Sequence, residues 1–320
     1  MFYSIRHVTK YFYSAPISES LTEVRMQPRT ENNQRCLMFQ LSVNPRSRVF
    51  SHRDHFQNTV HHFDVPSLHN RLMIVAEATV DLQPPEPLPY SLPPDSWREL
   101  DAAIDEGDYW DMLTPSKFVA PTPLLVELKE ALNVRRREDP LRLLRELNTA
   151  VYHWFDYVPK ATRVDSPIDE ALRARAGVCQ DLAHVMTALV RTVHIPCRYV
   201  SGYLFHGDKH HDRSSEGASH AWVEAFLPGL GWIGLDPTNN LVAGERHIRV
   251  AVGRDYADVP PSRGLFRGDA ESELGVAVTV VPSENMPPPV EEMTTISQED
   301  WSVFLHPEEE MVQQQQQQQQ

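Results

Sequence analysis

The sequence is poor in cysteine, in positive charge and in long apolar runs, and each shortage removes a class of protein. Three cysteines in 320 residues cannot build the disulfide framework of a small secreted domain. The economical expectation is a reduced, cytoplasmic protein in which Cys36, Cys179 and Cys197 are thiols. No apolar run approaches the roughly 20 residues of a membrane span. The opening Met1-Phe2-Tyr3-Ser4-Ile5-Arg6-His7 lacks the basic segment and apolar core of a signal peptide. Lys and Arg number 30 against 44 Asp and Glu, a formal net charge of −14. That balance argues against nucleic-acid partners and against docking on anionic membranes. Hydrophobic residues make up 41% of the chain, enough for a core. At roughly 150 residues per domain the length predicts about two domains.

Period-two patterns dominate the first part. Tyr3, Ile5, His7, Thr9 and Tyr11 repeat on every second residue, as do Leu37-Phe39-Leu41-Val43 and the run from Leu72 to Leu82. Aromatic and β-branched residues at that period predict strands. Residues 1–82 therefore read as an antiparallel β module. The cluster of prolines from Pro84 to Pro94 continues neither a helix nor a central strand, so 83–100 reads as a stiff linker.

The period then changes. Leu144, Leu147, Val151 and Trp154 share one helix face. Ser166-Pro167, with Asp169 behind it, reads as an N-cap and first turn, and that short helix is expected to run out near the permissive Gly177. A wider apolar stripe follows in Leu182, Val185, Met186, Leu189, Val190 and Val193, as expected of a buried helix. Strands are predicted over 198–204, 219–227 and 231–236, the last two joined by a turn at Pro228-Gly229-Leu230-Gly231. Residues 275–281 read as one more strand. The chain is thus α+β, with a core over 101–285. The acidic, polyglutamine-ended tail, 286–320, has no apolar face to bury and is expected to be disordered.

One constellation carries chemistry. Cys179 stands at the start of the buried helix, where free N–H groups and the helix dipole stabilise an anion. His220 lies on the next-but-one strand and Asp236 on the strand after it. If those two strands form a hairpin, paired positions sum to about 456–459 depending on loop length. His220 and Asp236 then lie opposite or one diagonal step apart on one face. Asp236 can orient one ring nitrogen of His220 and leave the other for Cys179. The Cys179 N–H is a candidate oxyanion donor; Trp154, Tyr157 and Gln180 are candidates for a second. Against this stands the ordinary reading of a Cys as a small buried hydrophobe.

The local sequences go further than spacing. Gly177-Val178-Cys179-Gln180-Asp181, Arg198-Tyr199-Val200-Ser201-Gly202-Tyr203, Gly217-Ala218-Ser219-His220-Ala221-Trp222-Val223-Glu224 and Gly231-Trp232-Ile233-Gly234-Leu235-Asp236-Pro237-Thr238-Asn239 resemble the bacterial transglutaminase-like superfamily. The N-terminal β module resembles the region that precedes the core in many bacterial members, and Ala251 to Pro261 the segment that follows it. The resemblance implies a papain-like core with Cys179 as nucleophile, His220 as general base and acid and Asp236 as orienter. It implies a thioester with a Gln, Asn or peptide carbonyl of a peptide or protein substrate. If water resolves the thioester, the enzyme is a peptidase or amidase; if an amine does, a transglutaminase. Nothing matches the calcium-binding segments of animal transglutaminases, so neither metal nor cofactor is expected. A third reading is a binding module that keeps the fold without turnover.

The remaining histidines and aromatics read less specifically. His206, His210 and His211 fall in a charged, Gly-containing stretch that reads as a solvated loop bordering the cleft rather than a metal cluster. His61 and His62 are adjacent on a strand and point to opposite faces, a poor chelate. Cys36 and Cys197 read as structural. Trp222 and Trp232 read as core residues that could flank the site.

Overall fold

The computed structural model describes residues 1–207 and 211–286; the polyglutamine tail and His210 lie outside the described residues. Five strands open the chain: β1 (Phe2–Val24), β2 (Gln34–Asn44), β3 (Phe50–Arg53), β4 (Thr59–Val65) and β5 (His69–Leu82). They form one antiparallel sheet in the order β2-β5-β1-β4-β3. The long β1 serves both halves of that sheet, pairing β5 along its first half and β4 along its second. Its alternation buries Tyr3 and Ile5, which pack with Val80 and Leu82 of β5.

The Pro-rich stretch runs only to Asp95, because α1 (Ser96–Glu106) begins before residue 100. The short α2 (Trp110–Leu113), then α3 (Pro123–Ala131) and α4 (Pro140–Trp154) follow. Both longer helices begin with Pro behind an oxygen-bearing cap. Thr122 accepts from the Leu125 N–H, and Asp139 from those of Leu141 and Arg142. Leu144, Leu147 and Val151 of α4 face the core as their spacing predicts.

Three short elements lead to the site: β6 (Asp156–Tyr157), α5 (Ile168–Ala174) and β7 (Ala176–Gly177), with β6 and β7 paired in parallel. Two expectations shift here. Pro167, not Ser166, is the N-cap; the Ser166 hydroxyl instead accepts from the Arg163 N–H and donates to Glu170. The left-handed residue ending α5 is Arg175, at φ 49°, and not Gly177. Gly177 is required for another reason: a Cβ there would lie 2.7 Å from Asp181 Oδ2.

The core is α6 (Cys179–Arg191) against a five-stranded sheet of β8 (Cys197–Leu204), β9 (His220–Leu227), β10 (Gly231–Asp236), β11 (Leu241–Val242) and β12 (His247–Gly253), in the order β11-β10-β9-β8-β12. Every residue of α6 is buried. Leu182, Val185, Met186, Leu189 and Val190 have no exposed surface, and each such burial contributes about 1.5–3 kcal/mol.

The last strands, β13 (Ser262–Arg267) and β14 (Ser272–Ser283), correct the expected domain layout. They do not extend the core. Both pair antiparallel with β1 and complete the N-terminal sheet. The first module is therefore assembled from both ends of the described chain.

The two sheets meet along β12, an edge strand whose outward backbone groups need partners. Two buried amide side chains of the N-terminal module supply them. Gln34 donates to the Arg249 carbonyl and accepts from the Arg249 N–H, both at 2.8 Å. Asn58 does the same at Val252, again both at 2.8 Å.

Candidate active site

Cys179 is the first residue of α6 and is buried. The first intrahelical bonds run from the Asp181 and Leu182 N–H groups to the Val178 carbonyl, so helix geometry leaves the Cys179 N–H outside the helix ladder. Asp181 fixes this turn. Its Oδ2 accepts from the Val178 N–H at 2.8 Å and from the Thr162 hydroxyl at 2.6 Å. Burial pushes its carboxyl up to about 6, although both hydrogen bonds oppose the shift.

The β9–β10 hairpin pairs Leu227 with Gly231, Phe226 with Trp232 and Val223 with Leu235. Asp236 therefore sits one diagonal step from His220, and the two side chains meet. His220 Nε2 lies 2.8 Å from Asp236 Oδ2. The other ring nitrogen, Nδ1, is buried without a partner of hydrogen-bonding geometry. Burial disfavours a charged ring here. The Asp236 carboxylate, aided by the nearby Cys179 sulfur, outweighs it and pushes His220 up to about 10.

Asp236 is saturated with donors. Oδ1 accepts from the Thr238 and Asn239 N–H groups at 2.9 and 3.1 Å. Oδ2 accepts from the Asn239 amide at 2.8 Å and from a second imidazole, His247 Nε2 of β12, at 3.2 Å, besides His220. Burial works against this carboxylate, but the His220 charge and the donated bonds hold it well below the usual range. His247 Nδ1 accepts from the Gly244 N–H, which assigns the remaining proton to Nε2, facing Asp236. Burial lowers this ring, in keeping with a neutral donor. His220, Asp236 and His247 bring ligand-type atoms within 4.8 Å of one another. A metal ion would need both Nε2 atoms as lone-pair donors, whereas His247 already presents a proton there, so these residues fit a hydrogen-bonded relay better than a metal site.

Residues 3–81 match the bacterial transglutaminase-like N-terminal region, and residues 130–237 match the transglutaminase-like superfamily. An uncharacterised protein of Mycobacterium leprae is 32% identical over 281 residues, 86% of this chain and 96% of that one. The chain belongs to the transglutaminase-like superfamily. A protein-glutamine gamma-glutamyltransferase of Pseudomonas aeruginosa is 32% identical over 120 residues, covering 34% of this chain and 18% of its own length. In fold, the chain resembles a candidate cysteine protease from Cytophaga hutchinsonii, with a TM-score of 0.67 at 22% identity over 90% of this chain and 93% of that one.

Several residues of this transglutaminase-like core escaped the sequence reading. His247 lies just before the segment that carried the resemblance, and its contact with Asp236 is made across strands. Asn239 lies within a quoted motif. Its amide ties Asp236 to the segment leading into β9, because Oδ1 accepts from the Arg213 and Ser214 N–H groups. Gly202, opposite His220 in the β8–β9 ladder, admits the Trp222 ring: a Cβ there would meet it at 2.6 Å and the Ile248 carbonyl at 2.1 Å.

The three candidates for a second oxyanion donor make other contacts. The Gln180 amide donates to the Val164 carbonyl, the Tyr157 hydroxyl accepts from the Ser215 N–H, and the Trp154 ring lies under the Arg175 guanidinium. Trp222 stacks on His220, with centroids 6.0 Å apart. Trp232 packs instead on Phe226 and beneath Arg198. His206 pairs with Asp212, which also binds Arg246. Cys197 is fully buried, and burial pushes its thiol up to about 12; burial pushes Cys36 up to about 11. No helix among the described residues is long and apolar enough to cross a membrane.

Proposed function

We propose that this protein is a cysteine-dependent acyl-transfer enzyme that hydrolyses peptide, isopeptide or amide bonds through a thioester on Cys179. The observation that carries the reading is the His220 ring. It is fixed at Nε2 by Asp236, unpaired at Nδ1, and close enough to the Cys179 sulfur to feel it. In this reading Nδ1 takes the thiol proton and the sulfur attacks the substrate carbonyl carbon. The tetrahedral oxyanion faces the Cys179 N–H at the helix start. As the C–N bond breaks, Nδ1 returns the proton to the leaving amine. Nδ1 then takes a proton from water, whose oxygen attacks the thioester; the acid leaves and the thiol is restored. The substrate is a peptide or protein, and three unpaired thiols suit a reducing, cytoplasmic setting.

A second reading has an amine in place of water, and the local likeness to the Pseudomonas gamma-glutamyltransferase favours it. An electrostatic argument favours water. A cavity lined by Val164, whose carbonyl accepts from the Gln180 side chain, carries Lys117 and Arg263, a poor environment for an acceptor that arrives largely as an ammonium ion.

Iodoacetamide labelling against pH, read by peptide mass spectrometry, tests the assembled pair. Cys179 is expected to react first near neutral pH, ahead of Cys36 and Cys197, and His220→Ala is expected to abolish its lead. Uniform labelling of all three thiols in the wild type would remove the catalytic reading and leave a binding module. A glutamine-containing peptide offered with and without a primary amine then separates carboxylate formation from amine incorporation.

A further inference from the structure

A cavity of about 270 Å³ lies at the seam between the N-terminal sheet and the core. We propose that it is a substrate subsite receiving an aromatic side chain of a peptide that carries an acidic residue beside it. This deepens the proposed hydrolase reading and rests on it.

The walls are aromatic from both modules. Tyr11 and Tyr13 come from β1, Phe266 from β13, and Phe118 and Tyr256 from the core. Tyr13 meets Phe266 edge-on at 5.1 Å and stacks along Tyr11 at 6.3 Å. Where these partly buried rings face the cavity, they accept a further ring in offset or edge-on contact. Two of the wall hydroxyls are already engaged, Ser262 by Tyr11 and Ser20 by His69, so recognition of charge falls to the rim.

That rim is cationic in a chain of net charge −14. Lys117 and Arg263 line it, both are exposed, and neither has a carboxylate within ion-pair distance among the described residues. The one carboxylate in the wall, Asp165, is held by Arg163. At the rim, Leu265, part of the lining, and its cross-strand partner Leu21 are 67% and 50% exposed, an apolar strip along which a bound chain can continue.

Two of the lining residues connect the cavity to the neighbourhood of Cys179. Val164 is part of its wall, and the Val164 carbonyl accepts from Gln180, the residue after Cys179. Tyr256 on the opposite side meets Tyr199 edge-on, and Tyr199 in turn lies within electrostatic reach of Cys179. In the proposal, a peptide anchored here extends from the cavity toward Cys179 along these contacts.

The test is binding to Cys179→Ala, which holds substrate without turning it over, by isothermal titration with three capped dipeptides: N-acetyl-Phe-Glu-amide, N-acetyl-Phe-Gln-amide and N-acetyl-Ala-Glu-amide. The first is expected to bind roughly three- to tenfold more tightly than either of the others, the size of one or two exposed ion pairs or one small aromatic contact. Lys117→Ala/Arg263→Ala in the same background is expected to erase the preference for Glu over Gln while keeping that for Phe over Ala. Equal affinities for the three peptides, no binding, or a Glu preference that survives loss of both cations would overturn the proposal. Because thiol labelling reads the intact Cys179 without any peptide, failure of the subsite and failure of the catalytic reading give different results.

Discussion

Glu224 and Asp236 use one arrangement twice on the same hairpin. Both carboxylates are wholly buried, and each is bridged by two nitrogen-bearing side chains from different strands. Glu224 on β9 is held by Arg198 of β8 at 2.6 Å and Arg249 of β12 at 2.5 Å. Asp236 at the end of β10 is held by His220 of β9 and His247 of β12. The difference lies in what remains after pairing. The arginines are always charged, and they extend the cluster to Glu31 and Asn33 of the N-terminal module, which makes Glu224 a joint between the two sheets. His220 retains a second nitrogen, buried and unpaired, beside a thiol. An unmade buried hydrogen bond costs about 1–3 kcal/mol. Equal burial and pairing therefore give a structural joint in one case and, in the proposed reading, a nitrogen left for proton transfer in the other.

The largest expected effects break the copy proposed to be reactive. His220→Ala should lower turnover by about 10³-fold or more, with Cys179 alkylation losing its advantage over the other thiols, in a chain that still unfolds cooperatively. Asp236→Asn should cost about 10²–10⁴-fold by loosening the ring and its tautomer. The structural copy should fail the other way. Glu224→Gln leaves the buried Arg198 and the partly buried Arg249 facing a neutral amide, with Glu31 the remaining carboxylate partner of Arg198, so urea unfolding should report a loss of roughly 3 kcal/mol. Alkylation of Cys179 in the folded fraction should be unchanged. A Glu224→Gln chain of normal stability and dead thiol would show that the two clusters are not separable in this way.

The placement of the candidate catalytic residues was largely legible in the sequence and that of the structural copy was not. Cys179, His220 and Asp236 stand beside helix and strand signals whose spacing limits the hairpin register to a few choices, and the register found, with pairs such as Val223 and Leu235, lies within them. His247 and Arg249 reach the same carboxylates through β12, which joins the sheet beside β8, far from β10 in the strand order. No local period encodes that crossing. The same limit hid the return of β13 and β14 to β1: alternation announces a strand but not its partner. Arg175 at φ 49° shows a further gap. A left-handed turn was expected at the nearest glycine, and Gly177 is instead needed to make room for Asp181.

The pH dependence should separate the copies more gently. His220 is raised to about 10, so its contribution to stability is fully present below the unfolded value of about 6.5 and is lost as pH rises through about 10. Asp236 and Glu224 are lowered; their contribution is present above about 4 and is lost as pH falls further. Stability should therefore decline between pH 7 and 10 in the wild type. His220→Gln should flatten that limb and Glu224→Gln should leave its slope intact, since the arginines do not titrate there. A wild-type plateau across pH 7–10 would contradict the raised His220.

The smallest expected effect concerns His247, which bonds Asp236 and packs its ring 6.1 Å from that of His220. Replacing it by Ala removes one hydrogen bond to a buried carboxylate and leaves the other four in place. A bond to a charged group is worth about 1.5–3 kcal/mol, and only the share that orients His220 should appear in the rate. His247→Ala should slow Cys179 alkylation by roughly tenfold and raise the pH at which the alkaline limb falls, because His220 then has Asp236 Oδ2 with one fewer competing donor. His247→Gln carries a side-chain N–H that can reach Asp236 and an oxygen that can accept from Gly244, so it should restore most of the rate and return the limb towards its wild-type position. A merely structural role would lower stability in both variants without moving the pH limb, and that outcome would place His247 with Arg249 as a joint rather than with His220.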